Sequence, residues 1–314
     1  MEKIAKNTYF IKGGTNTGIY TYNNNAVIID PGLAGARPKR ILNKLESMGF
    51  KAKYILNTHE HDDHYGGCGQ LKDKEKAIIN ASSEYAKLYI ENPILFPTYI
   101  MGGNSSDIMI KSSKLTEKDI TKVDMILSEG ILNLDTGKNL KDNGRKLNEN
   151  EIRVIDLKGH TEGSVGFITP DNIFFVGDLL IGNEMIEKFD FLFTFDIEKY
   201  LDSLEKIESI SYDKIVLGHS KKIITKEESK ILIEKNRMSI IKYINQVKNM
   251  LTKEKLGYEK ILKNIINENK LKCNYKEYHF FKASLVSLIT YLMDRKEIDY
   301  IIESGELLYF SKEI

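Results

Sequence analysis

The sequence has no tryptophan, five prolines and two cysteines in 314 residues. Two thiols, Cys68 and Cys273, are too few for a disulfide framework or a thiolate zinc cage, and they point to a reducing, cytoplasmic setting. An excess of charge of one sign is also missing. The 46 Lys+Arg and 45 Asp+Glu leave +1, so no global field draws the chain to nucleic acid or an anionic membrane. Long apolar runs are absent too. Stretches such as 173–176 and 284–292 stop far short of the ~20 residues that a membrane span needs. The N-terminal MEKIAKNTYFIKGG has no apolar core of signal-peptide length. What is present, 41% hydrophobic and 29% charged residues, is the composition of an ordinary globular protein. The length suffices for two domains at about 150 residues each.

Up to about residue 220, short apolar strands alternate with helical stretches. Residues 8–12, 18–22 and 26–30 read as strands because each is brief, rich in β-branched or aromatic residues, and bounded by Gly, Asn or Pro. Further strands are expected at 54–57, 77–80, 152–157, 164–169, 173–176 and 214–217, with helices at 37–48, 82–90 and 197–207. This order predicts an α/β (α+β) chain with a mixed sheet, or paired sheets, covered by helices. The stretch 91–150 breaks the rhythm with Asn92-Pro93, Gly102-Gly103 and the polar run 138–150. It reads as an insertion over one face, either a lid or mobile surface.

Past residue 220 the period turns helical. Ile231, Met238, Ile241, Ile244, Val247 and Leu251 mark one amphipathic helix; Tyr258, Ile261, Leu262, Ile265 and Ile266 mark a second; and Tyr278, Phe281, Leu285, Leu288, Ile289 and Leu292 mark a third. A hairpin at 300–304 and 306–310, turning at Gly305, closes the chain. Helices followed by a two-stranded wing are the order of a winged-helix module. The expected domains are 1–222 and 223–314.

Five of the six histidines follow strand-like runs: His59, His61, His64, His160 and His219. The densest signal is Thr58-His59-Glu60-His61-Asp62-Asp63-His64, directly after the strand at 54–57. Three imidazoles and a carboxylate at H-x-H-x-D-H spacing, on a loop leaving a strand, can converge on one or two divalent metals. His160, Asp178 and His219 each end a strand of their own, and glycine precedes each of them, which permits a sharp turn.

These residues together resemble the metallo-β-lactamase superfamily of metallohydrolases, over about residues 4–220. The resemblance implies an αββα sandwich with the metal site at the open edge of its two sheets, followed here by the helical, winged-helix-like region. It assigns His59, His61 and His160 to a first metal and Asp63, His64 and His219 to a second. Asp178 would bridge the two, and Asp30 would orient the histidine loop from behind. The implied cofactors are two divalent ions, zinc first, although imidazole and carboxylate also accept iron or manganese. Such a pair would share a water and lower its pKa, giving a hydroxide nucleophile for hydrolysis, with Asp63 and Asp178 as the catalytic carboxylates.

Departures from individual branches narrow the reading. The most familiar zinc β-lactamases carry cysteine where Asp178 stands. Glyoxalase II ends its fourth motif in histidine, whereas position 164 is Ser. The nuclease branch inserts a domain before the last ligand, but only 41 residues separate Asp178 from His219. A flavodiiron protein would need a flavin-binding module that is missing. The expected activity is hydrolysis of a small thioester, ester or lactone, with a phosphodiesterase or ribonuclease as the alternative. An iron redox protein and a nucleic-acid-binding regulator are the readings from other classes. Residues 221–278 hold 15 Lys+Arg against 7 Asp+Glu, which could attract RNA but reads more simply as a solvated helix face. The expected partner is a small molecule, with RNA second and no membrane; a dimer is compatible with the sequence. Lys188 and Lys199 read as surface lysines, Cys68 as a small buried residue and His279 as structural. Phe189, Phe191, Phe193 and Phe195 read as a strand or as the rim of the active-site cleft.

Overall fold

Alternation of side chains across the strands decides the layering. The computed structural model describes residues 1–112, 120–188 and 191–312, with the side chains of Glu187 and Lys188 left out. Among the described residues, one sheet runs in chain order: β1 (Glu2–Lys3), β2 (Thr8–Ile11), β3 (Thr17–Tyr22), β4 (Asn25–Ile29), β5 (Lys51–Leu56), β6 (Ile79–Ser82) and β7 (Met125–Ile126). The second contains β8 (Gly130–Asn133), β9 (Lys138–Leu140), β10 (Glu151–Asp156), β11 (Val165–Ile168), β12 (Ile173–Phe175), β13 (Lys214–Val216) and β14 (Ile224–Thr225). Its spatial order is β14-β13-β12-β11-β10-β8-β9.

Successive residues on a strand point to opposite faces, and both faces of these sheets are covered. In β4, Val27 and Ile29 join Tyr54 and Leu56 of β5 in a cluster shared with Ile152, Val154, Phe167 and Phe175 of the other sheet. Ala26, Ile28 and Ile55, one residue out of step, pack outward on Ile41 and Leu45 of α1 (Ala36–Ser47). Phe174, between the inward Ile173 and Phe175, faces the opposite layer of helices. The result is helix, sheet, sheet, helix.

On the first sheet's outer face lie α1, the single turn α2 (Asp62–Tyr65), α3 (Cys68–Lys74) and α4 (Glu84–Glu91). α5 (Leu95–Met101), α6 (Asp107–Ser112) and α7 (Asn183–Lys188) are short. The second sheet's outer face carries α8 (Ile197–Ser209), α9 (Lys226–Leu251), α10 (Tyr258–Glu268) and α11 (Tyr275–Asp294), and the hairpin β15 (Ile298–Glu303) and β16 (Glu306–Ser311) follows. Leu232, Ile240, Leu285 and Tyr309 belong to the same apolar cluster as Ile155, Phe174 and Ile215, so these helices share one core with the sheet. Capping boxes start α9 at Thr225/Glu228 and α11 at Asn274/Glu277.

Two expectations need correction, and one pair of alternatives is decided. Residues 91–150 are not one insertion over a face: 125–126 form an edge strand of the first sheet, while 130–133 and 138–140 extend the second. β9 is exposed throughout and pairs through its backbone, so it carries no hydrophobic alternation to read. Part of that stretch, 113–119, lies outside the described residues. On α9, Ile244, Val247 and Leu251 are buried as expected, but Ile231 and Met238 are exposed, and the first part of the buried stripe runs instead through Leu232, Ile233, Asn236, Ile240 and Tyr243. A polar Asn236 in that stripe, buried because it is hydrogen-bonded, hid the true phase. Residues 191–195 form no strand; Phe189 and Asp190 lie outside the described residues.

Candidate metal centre

Every proposed ligand leaves the C-terminal end of a strand at one edge of the sandwich. Asp30 follows β4, the His59–His64 loop follows β5, His160 follows β10, Asp178 follows β12, and His219 follows β13. The β5 exit is fixed by Asn57, whose side-chain amide donates to Asn80 Oδ1 at 2.8 Å and to the Ala81 carbonyl at 2.9 Å. Gly218 allows the last two strand ends to meet: a Cβ there would collide with Asp178 Oδ1 and lie 2.8 Å from His64 Cε1.

The side chains gather into two groups, His59, His61, His160 with Asp178, and Asp63, His64 with His219. Within each group one ligand atom per residue lies within 4.8 Å of all the others. His61 Nδ1 is 3.0 Å from His59 Nε2 and 3.1 Å from His160 Nε2. His219 Nε2 is 3.2 Å from both Asp63 Oδ2 and Asp178 Oδ2, and His64 Nε2 is 3.4 Å from Asp178 Oδ1. Asp178 therefore stands between the groups.

The outward nitrogens settle which ring atoms are free. His64 Nδ1 donates to Asp30 Oδ2 at 2.8 Å, His160 Nδ1 to the Phe193 carbonyl at 3.2 Å, and His219 Nδ1 to the Gly14 carbonyl at 2.5 Å. The Thr58 hydroxyl donates to Asp30 Oδ2 at 2.7 Å and so accepts from His59 Nδ1 at 3.0 Å. A ring whose Nδ1 carries the proton presents a bare lone pair at Nε2. Four imidazoles are thus anchored through Nδ1 with Nε2 aimed inward, its lone pair bare on His59 and His160 and open to a cation on His64 and His219 once the Nε2 proton leaves. Buried His64 Nε2 and Asp178 Oδ1 have no hydrogen-bond partner. Convergent lone pairs on buried imidazole and carboxylate, with their outward protons already committed, fit divalent cations.

Charge supports the same reading. Burial, and then the neighbouring imidazoles, hold His59 and His61 well below the ordinary histidine range; burial likewise lowers His160. In the other group burial opposes charge on His64, but Asp178, Asp63 and Asp30 overcome it and raise His64 well above that range. Asp178 pushes His219 up to about 10. Against burial, His64 and His219 keep Asp63 and Asp178 below the usual carboxylate range. A cation would take over the compensating charge that these protons supply.

Beside the ligands opens a cavity of about 370 Å³ bordered by His61, His160, Asp178 and His219. Phe193 stacks tilted on His61 at 5.5 Å and edge-on to His160 at 5.6 Å, and meets Phe280 of α11 at 5.1 Å. Phe191 and Phe193 are therefore rim and wall of the cleft. Sequence reasoning missed Phe280 and also Phe96, which meets His61 edge-on at 4.9 Å; their positions far apart in the chain carry no local signal. It also passed over Glu60. Buried between the loops, Glu60 accepts from Thr161 Oγ1 at 2.8 Å and ties the His59–His64 segment to the His160 loop. Burial pushes its carboxyl up to about 7. Lys199 instead pairs with Glu162 at 2.8 Å, Cys68 is fully buried, and His279 packs on Tyr275 at 4.7 Å.

The sequence model of the metallo-beta-lactamase superfamily matches residues 11–219, two thirds of the chain and every proposed ligand. The chain belongs to the metallo-beta-lactamase superfamily. Relatives include a hydroxyacylglutathione hydrolase of Prochlorococcus marinus, 29% identical over 170 residues that cover 52% of this chain and 49% of that protein. The hydroxyacylglutathione hydrolase GloC of Haemophilus influenzae is 28% identical over 163 residues, 52% of this chain and 64% of its own. The alignments thus span about half to two thirds of those relatives. A metallo-beta-lactamase family protein of Thermus thermophilus superposes over 98% of this chain and 99% of its own, with a TM-score of 0.68 at 15% identity. A beta-lactamase domain protein of Burkholderia ambifaria covers 95% and 87%, with a TM-score of 0.66 at 14% identity. Within this superfamily member, the helical region after residue 219 is part of the shared fold.

Proposed function

We propose that the chain is a hydrolase of small thioesters, esters or lactones that works with two divalent ions, zinc first. His59, His61 and His160 would hold one ion, Asp63, His64 and His219 the other, and Asp178 both. The observation that carries this is the anchoring of four imidazoles through Nδ1, which aims the Nε2 of each at the same space as the Asp63 and Asp178 carboxylates. When bound, the ions supply an activated water and polarise the scissile carbonyl. Asp63 Oδ2 receives the Thr15 hydroxyl at 2.9 Å and lies 3.2 Å from His219 Nε2, which holds the carboxylate among the ligands, where it would orient the nucleophilic water and accept its proton. Asp30 positions His64 and, through Thr58, His59. Phe193 and Phe280 narrow the approach and exclude bulk water from the reacting carbonyl.

The curated relatives are named for a hydroxyacyl thioester of glutathione, and a thioester is the leading class here. The ribonuclease alternative has less to stand on. Some of the basic residues of the 223–314 region are engaged with acids, Lys248 with Glu297 at 2.6 Å and Lys255 with Glu303 at 2.6 Å, and the cavity beside the ligands is largely apolar. No helix is long and apolar enough to cross a membrane among the described residues. Both cysteines are free, and we place the protein in the cytoplasm.

Elemental analysis after zinc loading should give two ions per chain, and acyl thioesters should be hydrolysed. Asp178→Ala should lower turnover by at least about 100-fold, given that even outer partners of metal ligands cost 10- to 100-fold, while circular dichroism stays native. Near-normal turnover in that variant, or no hydrolysis of any ester or thioester by the loaded protein, would overturn the proposal. Bound iron with redox activity alone would favour the iron-protein reading.

A further inference from the structure

The cavity beside the ligands is bordered by polar groups, the ligands themselves and Asn274, Lys276 and Glu277 at the start of α11, and by an apolar inner wall. That wall is made by Ile181, Met185, Phe191, Leu192, Phe280 and Phe281. Phe191 is locked there by Tyr243 at 4.5 Å and Phe281 at 5.8 Å between ring centres. The inner wall's one hydroxyl, Tyr200, already donates to Asn236 Oδ1 at 3.2 Å. Asn236 is spent in turn: its Oδ1 accepts from Ile181 N at 3.0 Å, and its amide donates to the Ile181 carbonyl at 3.0 Å and the Leu232 carbonyl at 2.8 Å. Asn274 and Glu277 are committed to the capping box of α11, and the Lys276 ammonium lies over the Phe280 ring at 5.2 Å. Among the described residues of the apolar wall itself, no side chain offers a free polar group to a ligand. A polar or charged substituent placed there would lose its hydration without replacement, whereas an alkyl or aryl group would lose nothing.

Resting on the hydrolase reading, we propose that the substrate carries a bulky apolar group, alkyl or aryl, next to its scissile carbonyl, and that this pocket between α7, the 191–193 segment and α11 receives it. A volume of about 370 Å³ is within the range of small-molecule sites, which runs from roughly 300 to 1,000 Å³. α11 contributes Phe280 and Phe281, so the helical region sets the length of the group accepted. The group belongs either to the acyl part or to the leaving thiol, and the two are separated by the test.

Two series are compared on the metal-loaded protein: acyl chains of increasing length on a constant N-acetylcysteamine thiol, and acetyl thioesters of increasing alkane thiols. Burial of a methylene contributes ≈ 0.8 kcal/mol, so kcat/KM should rise about fourfold per carbon in one series until the pocket is full. In parallel, calorimetric binding of uncleaved N-alkyl amides should tighten by a similar factor per carbon, a readout independent of turnover. Met185, half-buried on the short α7, is the place to fill the pocket. Met185→Trp should flatten both dependences, and its indole would be the protein's single tryptophan, so an alkyl ligand should also change its emission. Short thioesters hydrolysed with no length dependence in either series would sink this inference and leave the hydrolase reading standing. Alkyl amides that bind with no gain per carbon would sink it whatever the turnover. Amide binding that tightens with length in a protein that hydrolyses nothing would uphold the pocket and refute the hydrolase. An unchanged length dependence in a folded Met185→Trp would place the apolar group elsewhere and overturn the assignment.

Discussion

Replacing Asp30 by asparagine tests whether the histidine tautomers are set from behind the ligands. Asp30 adopts a left-handed backbone, φ 52°, which asparagine also accepts, so the change acts on hydrogen bonds and not on the turn. The carboxylate now accepts three: Thr58 N at 2.8 Å on Oδ1, and Thr58 Oγ1 at 2.7 Å and His64 Nδ1 at 2.8 Å on Oδ2. An amide can match only part of this set. With its oxygen in the Oδ2 place, its NH₂ opposes the Thr58 N–H, two buried donors face to face. With its oxygen in the Oδ1 place, NH₂ faces the Thr58 hydroxyl and His64 Nδ1. His64 must then carry its proton on Nε2. The Thr58 hydroxyl turns to donate to His59 Nδ1, and His59 moves its proton inward as well. One ligand of each metal group is thereby blocked.

A buried hydrogen bond to a charged group contributes about 1.5–3 kcal/mol, and loss of an outer partner lowers metal affinity about 10- to 100-fold. Asp30→Asn should therefore melt lower without metal by about 2 kcal/mol and bind zinc about 10- to 100-fold more weakly. Competitive titration against a chromophoric chelator and melting of the metal-free protein measure the two effects. Zinc affinity within threefold of the parent, with an unchanged melt, would show that Asp30 does not set the tautomers.

Three further outcomes follow from other contacts. Gly218→Ala places a Cβ against Asp178 Oδ1 and 2.8 Å from His64 Cε1; metal affinity should fall at least about tenfold with secondary structure retained, and undiminished affinity would show that the strand ends can spread. Arg145 donates to both Glu151 oxygens at 2.8 and 2.7 Å, which with burial opposed lowers that carboxyl from 4.5 to about 2. A depressed folded pKa stabilises above the unfolded value and is lost as pH falls towards about 2, so Arg145→Ala should move acid unfolding, followed by circular dichroism, to higher pH; superimposed curves would refute the pairing. Charge reversal at Lys248, Lys253 and Lys255 together should leave thioester turnover within about twofold and cost roughly 0–1 kcal/mol for each surface pair broken; RNA cleavage that vanishes in this variant would revive the nuclease reading.

What the sequence alone determined was local. Tight spacing from His59 to His64, and glycine before His160, Asp178 and His219, are features of neighbouring residues, and chemistry that needs several ligands on one short loop leaves a local mark. Strand existence was legible wherever β-branched or aromatic residues ran together, as in β3, β4 and β12. The tertiary structure decided what depends on residues far apart. β9 is a strand because β8 offers it a backbone, not because of its side chains. The buried face of the first part of α9 was misread because Asn236, polar by type, is satisfied only once Ile181 and Tyr200 reach it. Glu60 ties two loops a hundred residues apart, and Phe280 closes a pocket whose other wall is Phe193. Spacing in sequence records which residues are brought near by a single turn or loop; burial, tautomer and the shape of a cavity exist only where distant segments pack, and no local pattern encodes them.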